Sequence, residues 1–98
     1  MFTATIELDL LLGDIRSLKQ KRSIVRPLIA EIRKRHEVSV AEVGFHDLHR
    51  RVQIGAAVCA TTAAHCQAVL DSVERLVEGH PEVEILSGHR QLHGGEDD

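Results

Sequence analysis

The sequence has almost no aromatic side chains: among its 98 residues there is no tryptophan, no tyrosine, and only two phenylalanines, Phe2 and Phe45. Domains that bind single-stranded RNA on a β-sheet commonly stack the bases on exposed aromatic rings. This chain has too few rings for such a platform. Any contact with RNA is therefore expected to be electrostatic and directed at the phosphate backbone.

Signals for membrane insertion and for disulfides are also missing. No apolar run approaches the roughly 18 residues of a membrane span, and the amino terminus lacks the basic flank and cleavage site of a secretion signal. Cys59 and Cys66 are the only cysteines and do not form a C-x-x-C pair. We therefore expect a protein of the cytoplasm with two free thiols and no membrane partner.

Motifs for catalysis are absent from the sequence as well. It contains no glycine-rich phosphate loop, no G-x-S-x-G and no paired-carboxylate signature. His46, Asp47 and His49 could supply metal ligands, but no further ligand follows at a known spacing. The sequence therefore predicts a protein that is not an enzyme and that has neither a cofactor nor a metal site.

Hydrophobic periodicity predicts the first two elements of the fold. Residues alternate between apolar and polar from Phe2 to Leu12, which indicates a strand with one wet face. Ser17 and Gln20 match a capping box, so a helix is expected to begin there and to end near His36. Pro27 lies outside the apolar stripe of this helix, which favours a kink over a break.

The rest of the pattern predicts a hairpin, a helix and a last strand. The hairpin strands are expected at Glu37–Phe45 and Arg51–Ala60, a second helix from Thr61-Thr62 to Gly79, and a strand at Glu82–Ser87. This order predicts an α+β fold: a ferredoxin-like βαββαβ two-layer sandwich, with a four-stranded antiparallel sheet and two helices on one face. The first and third strands are expected to be central and parallel.

The domain prediction follows directly from that order of elements. Residues 1–87 are expected to form a single domain, and residues 88–98 a polar, frayed tail. The side chains on the polar face of the sheet are mostly small. We therefore expect a homodimer that forms through this face or through an edge of the sheet. Its predicted members are Thr3, Thr5, Gln53, Gly55, Ala57 and Cys59.

Charge is distributed very unevenly along the chain. The net charge is −3, yet residues 16–35 hold eight bases and one acid. Several of these cations lie at the start of the first helix, where the helix dipole favours anions. A bound phosphate would relieve their repulsion. The predicted anion- or RNA-binding residues are Arg16, Lys19, Lys21, Arg22, Arg26 and Arg33.

Two questions about these charges stay open at the level of sequence. An acidic ridge on the second helix, formed by Asp71, Glu74 and Glu78, could face the cations and make a purely structural charged surface. Lys21 lies in the apolar stripe, so its ammonium either extends past the sheet to water or reaches inward to Glu7, Asp9 or a bound anion. The polar hairpin loop offers a second partner surface: His46, Asp47, His49, Arg50 and Arg51.

Four segments give the chain a resemblance to a known family: "SLKQKRSIVRPLIAEIRKR", "VSVAEV", "DLHRR" and "VLDSVERLVEGHPEVEI". Together they resemble the YlxP-like family of small bacterial proteins, up to about Ile85. The resemblance implies a ferredoxin-like fold without an assigned reaction. Members are often encoded beside genes for translation initiation and ribosome maturation, which implies a link to the ribosome.

These observations lead to one expected function and one alternative. We expect a binding protein whose basic first helix contacts a phosphate-bearing partner, ribosomal RNA or a ribosome-maturation complex. The alternative is a homo-oligomeric protein–protein interaction module with no role in nucleic-acid binding.

Overall fold

The computed structural model describes residues 1–95 and contains six regular elements. Their order confirms the predicted βαββαβ pattern, and both helices pack on one face of a four-stranded sheet. No helix within residues 1–95 is both long and apolar enough to span a membrane. The elements are β1 (Phe2–Leu12), α1 (Leu18–Arg35), β2 (Ser39–Gly44), β3 (Arg51–Ala60), α2 (Ala63–Glu78) and β4 (Val83–Gly94).

The sheet has the strand order β2-β3-β1-β4, and each neighbouring pair is antiparallel. β1 and β3 are central, as predicted, but the expectation that they are parallel was wrong. The crossover through α1 makes β2 run in the same direction as β1. The tight hairpin then reverses the chain, so β3 runs opposite to β1.

The hydrophobic core lies between the sheet and the two helices, as the alternation in β1 predicts. The inward side chains of β1 are buried, and they meet the apolar stripes of α1 and α2. This burial is the main favourable contribution to folding. The largest fully buried side chains are Ile6, Leu8, Leu10, Leu12, Leu28, Ile32, Ile54 and Leu70.

Both helices begin at the caps that the sequence predicts. Ser17 Oγ accepts a hydrogen bond from the Gln20 N–H at 3.1 Å, and Gln20 Oε1 accepts one from the Arg16 N–H at 2.7 Å. The side chain of Thr62 caps α2 in the same way. Pro27 is exposed, and α1 continues through it without a break.

The carboxyl end differs from the prediction of a frayed tail. β4 continues to Gly94, and Thr3 lies opposite His93 in the β1–β4 ladder. β4 pairs with almost the whole length of β1. The main-chain hydrogen bonds of this ladder do not require apolar side chains. Residues 88–94 therefore belong to the sheet, whereas residues 96–98 lie outside the described part of the chain.

Candidate functional site

The loops at one end of the sheet bring the two predicted binding segments together. Arg50 Nε donates to the carbonyl oxygens of Leu12 at 3.3 Å and Gly13 at 2.8 Å, and the Leu12 N–H donates to the Arg50 carbonyl at 2.8 Å. The hairpin loop therefore lies beside the end of β1 and the start of α1. We call this surface the basic end: Arg16, Lys19, Arg22, Arg26, His46, His49 and Arg50.

Lys21 is buried at the base of this surface, with only 3% of its area exposed. Its Nζ donates to the carbonyl oxygens of Phe45 at 2.8 Å and Leu48 at 2.9 Å, and lies 3.1 Å from Glu42 Oε2. An ammonium has three N–H donors, so all three are engaged. Lys21 therefore reaches neither water nor the acids of β1, and it was wrongly included among the anion-binding residues.

The buried ammonium fixes the conformation of the β2–β3 loop. Phe45 has a φ of 62°, a left-handed conformation that is uncommon for residues other than glycine. Its carbonyl accepts both from Lys21 and from the Leu48 N–H, the latter at 3.1 Å. Lys21 thus ties the loop to the first turns of α1 and keeps the basic end in one place.

Three cations of α1 point into solvent without a carboxylate beside them. Lys19, Arg22 and Arg26 are exposed, and within residues 1–95 no hydrogen-bond or ion-pair partner is found for their side chains. Arg16 lies 3.6 Å from Asp14, but both side chains are highly exposed, so the pair is weak. These residues form a surface of uncompensated positive charge.

Arg33 stands apart from this group. Its Nη2 donates to the carbonyl oxygen of Val40 in β2 at 3.0 Å. It also lies seven residues beyond Arg26, which is roughly 10 Å along the helix axis. Arg33 therefore anchors α1 to β2, and it is not one of the free cations of the basic end.

Two acids of the α2 ridge, Asp71 and Glu74, pair with β4 and not with α1, which contradicts the interpretation that the two ridges neutralise each other. Arg90 in β4 lies 2.9 Å from Asp71 and 3.2 Å from Glu74. It also donates to Gln67 at 3.1 Å. Since α2 packs over β1 and β4, the nearest cation to its acids comes from β4. The cations of α1 are therefore not neutralised by the acids of α2.

The hairpin loop divides into exposed and engaged residues. His46, Asp47 and His49 are exposed, whereas Arg51 lies on the open face of the sheet, opposite the helices. The Arg51 guanidinium is 4.7 Å from the centroid of the Phe45 ring and 3.7 Å from Asp9 Oδ2. Arg51 therefore stiffens the base of the loop and adds little to the basic end.

The described residues offer no metal or disulfide chemistry. Between residues 1 and 95, no three histidine, cysteine, aspartate or glutamate side chains are grouped so that they could hold a metal ion. Cys59 is exposed on the open face, Cys66 is buried in the core, and both are free thiols, as expected. The arrangement is suited to binding an anion by charge.

Sequence reasoning missed two residues that shape this surface. Glu42 accepts from Lys21, and Arg90 holds the acids of α2. Glu42 lies in a strand that was predicted from its alternation, and the same alternation indicates that its side chain points toward the helices. The role of Arg90 had no such signal, because its segment was predicted to be a frayed tail.

Comparison with known proteins places the chain in a family. Residues 3–90 match the family described as "Protein of unknown function (DUF503)". The "Uncharacterized protein YlxP" of Bacillus subtilis (strain 168) is 26% identical over 78 residues, covering 80% of this chain and 85% of that protein. A de novo designed protein with a ferredoxin fold, solved by NMR, superposes on this chain with a TM-score of 0.56 and 17% sequence identity. The match covers 98% of this chain and 88% of the designed protein, and it confirms the fold. The chain therefore belongs to the DUF503 family of proteins of unknown function, which includes proteins similar to YlxP.

Proposed function

We propose that this protein is a non-enzymatic binding protein of the cytoplasm whose basic end holds a phosphate-bearing partner, ribosomal RNA or a ribosome-maturation complex. One observation carries the proposal. Lys19, Arg22 and Arg26 are exposed on the first half of α1, and no carboxylate from residues 1–95 pairs with them. Folding gains little from these charges, because none of the three has an ion-pair partner among the described residues and the helix dipole opposes Lys19 in the first turn.

The spacing of these cations supports a partner with several phosphates. The steps of three and four residues place Lys19, Arg22 and Arg26 along one edge of α1, at intervals of roughly 4–6 Å along the axis. A single phosphate would engage one or two of them. A nucleic-acid backbone presents successive negative charges and can engage the whole edge.

The β2–β3 loop extends the surface beyond the helix. Arg50 uses its Nε for the carbonyls of Leu12 and Gly13. Its two terminal nitrogens have no partner within residues 1–95 and remain available to an anion. Because Lys21 fixes the loop against α1 and Arg50 is bound to Leu12 and Gly13, the loop is held at the end of the sheet where α1 begins, which lowers the entropic cost of ordering it on binding.

The test is a double charge reversal, Lys19→Glu with Arg22→Glu. We expect it to abolish co-sedimentation of the protein with ribosomes at low salt, because it removes two phosphate contacts and adds two repulsive charges. The matched control is Lys34→Glu with Arg75→Glu, which changes the net charge equally at two exposed positions outside the basic end. Ribosome binding that survives the first pair, or that is lost equally with both pairs, would overturn the proposal.

A further inference from the structure

We propose that a second copy of this chain pairs with the first along β4, giving an antiparallel β4–β4 ladder with a twofold axis at His89. Two four-stranded sheets then join into one sheet of eight strands. The surface concerned is the free edge of the sheet, and it adjoins the basic end only at the start of β4, where Arg50 and Glu84 line one shallow cavity. The inference therefore does not depend on the proposed function.

The first observation is the character of the β4 edge. β4 is the longest strand, with 12 residues, and within residues 1–95 it pairs only with β1. It contains no proline and no lysine, the residues that most often protect an edge. Leu86 and Leu92 are 44% and 42% exposed on it. Such an edge favours pairing with another strand.

The opposite edge of the sheet is protected. β2 has only six residues, and its register shifts between Glu42 and Gly44. Arg33 reaches over from α1 and donates to the carbonyl oxygen of Val40. Both edge strands contain one irregularity, but β2 is half as long as β4 and has one of its carbonyls occupied, so it is the poorer template for another chain. The two edges therefore differ, and β4 is the open one.

The side-chain alternation of β4 determines the register of self-pairing. Residues that lie directly opposite each other must share a face of the sheet. In the β1–β4 ladder Asp9 pairs with Ser87 and Leu10 with Ile85, so Leu86 has no partner on β1 and forms a bulge. A twofold axis at His89 then uses the whole strand, and it places Ile85 opposite Leu92 and Glu84 opposite His93. An apolar pair and a polar pair thus occur on each side of the axis.

Charge complementarity supports the same register. Gly88 lies opposite Arg90 of the second copy, on the helix side of the sheet. A Cβ built on Gly88 would be 3.2 Å from Leu8 Cδ2 and 3.9 Å from Glu74 Oε1, so only glycine keeps the approach to this carboxylate open. Within one copy, Asp71 and Glu74 share a single arginine, Arg90. Since Arg90 of the second copy also binds the acids of its own α2, the contact places each arginine between carboxylates of both copies, and the symmetry makes it twice; the ratio of arginines to acids is unchanged.

The open face of the sheet is less suited to holding the second copy. It carries Glu7 and Asp9 on the central strand β1, above a shallow concavity of about 390 Å³. Asp9 is paired with Arg51, but Glu7 has no partner within residues 1–95, and stacking two such faces would bury this carboxylate unpaired, which costs free energy. The edge has no such cost in the proposed register.

The register is tested by a cysteine crosslink in a Cys59→Ala background, which removes the exposed native thiol. Opposed residues in an antiparallel pair have Cα atoms about 4.5–5.5 Å apart, within the range of a disulfide. His89→Cys should therefore give a covalent dimer on mild oxidation. Gln91→Cys is the matched control on the same face: its two copies would be roughly 13 Å apart, and it should stay monomeric under denaturing, non-reducing conditions.

The edge is tested independently by sedimentation equilibrium of the full chain. We expect a dimer for the wild type and a dissociation constant raised at least about tenfold by Leu92→Lys, because a lysine at the ladder opposes pairing. The control is Val43→Lys, a side chain of similar exposure, 47%, on β2. A monomeric wild type, a dimer broken by Val43→Lys instead, or a crosslink at Gln91 in place of His89 would overturn the proposal.

Discussion

At the scale of single residues, the ammonium of Lys21 links three parts of the chain: α1, the carboxylate of Glu42 on β2, and two loop carbonyls. Lys21→Met keeps most of the packed stem but leaves these acceptors without their donor. Removal of one partner from a buried ion pair costs about 3–5 kcal/mol, and the partial exposure of Glu42 lowers this toward about 2 kcal/mol. We expect a loss of that order in the free energy of unfolding, measured by urea denaturation with circular dichroism.

The matched control for Lys21 is Lys19→Met, two residues away on the exposed side of the same turn. It removes an ammonium that lies in water at a helix start, where the dipole opposes it, so the free energy of unfolding should stay at the wild-type value or rise by up to about 1 kcal/mol. A Lys21→Met protein as stable as the wild type would show that the buried ammonium contributes no net stability. Hydrogen exchange of the Leu48 amide would then show whether the loop still keeps its turn.

Sequence could locate Lys21 but could not identify its partners. Its angular position within the apolar stripe of α1 follows from 3.6-residue periodicity, which is a local property. The acceptors come from a loop more than twenty residues away, and that loop is folded back by a left-handed Phe45. Such an arrangement depends on tertiary packing, and no pattern within the helix signals it.

At the scale of elements, Pro27 is an exposed proline in the interior of α1. A proline there removes one main-chain hydrogen bond and crowds the preceding turn, at a cost of about 3 kcal/mol. Pro27→Ala should therefore raise the free energy of unfolding by about 1–3 kcal/mol. The measurement is the thermal midpoint followed by circular dichroism.

The control for this prediction is Ala30→Pro, a second exposed position in the same helix. It should lower the thermal midpoint, since Ala30 has no proline-adapted surroundings. A fall in the midpoint for Pro27→Ala would mean that the ring makes a favourable contact that offsets the lost hydrogen bond.

The elements that sequence predicts well are those with local signals. The ends of α1 follow from Ser17, Gln20 and the loss of periodicity at His36, and β3 follows from alternation alone. The extent of β4 does not, because a polar strand such as residues 88–94 is held by main-chain pairing with β1. The ion pairs of α2 with Arg90 depend on that same pairing, so the sequence left open which cations its acids face.

At the scale of the whole molecule, positive charge is concentrated on α1, whereas most acids lie on the rest of the chain. Binding of RNA through such a surface releases counterions, so log K is expected to fall linearly with log salt. Arg26→Gln should reduce this slope by roughly 0.7–0.9, the value for one lost phosphate contact. The measurement is fluorescence anisotropy of a labelled ribosomal RNA fragment over a salt series.

Lys34→Gln is the comparison for the salt series, because it removes one exposed charge at the far end of the same helix. Its slope should equal that of the wild type. Equal reductions for both variants would indicate binding through the net field of the helix, without a defined contact at Arg26.

The position of β1 in the middle of the sheet has a consequence for the order of folding. β1 is the first strand to leave the ribosome during synthesis, and one of its two neighbours, β4, is the last. Until the final segment emerges, one side of β1 has unpaired main-chain groups. Pairings between the two ends of a chain also raise the contact order, which slows folding. The fold of this domain therefore stays incomplete until residues 83–94 have emerged from the ribosome.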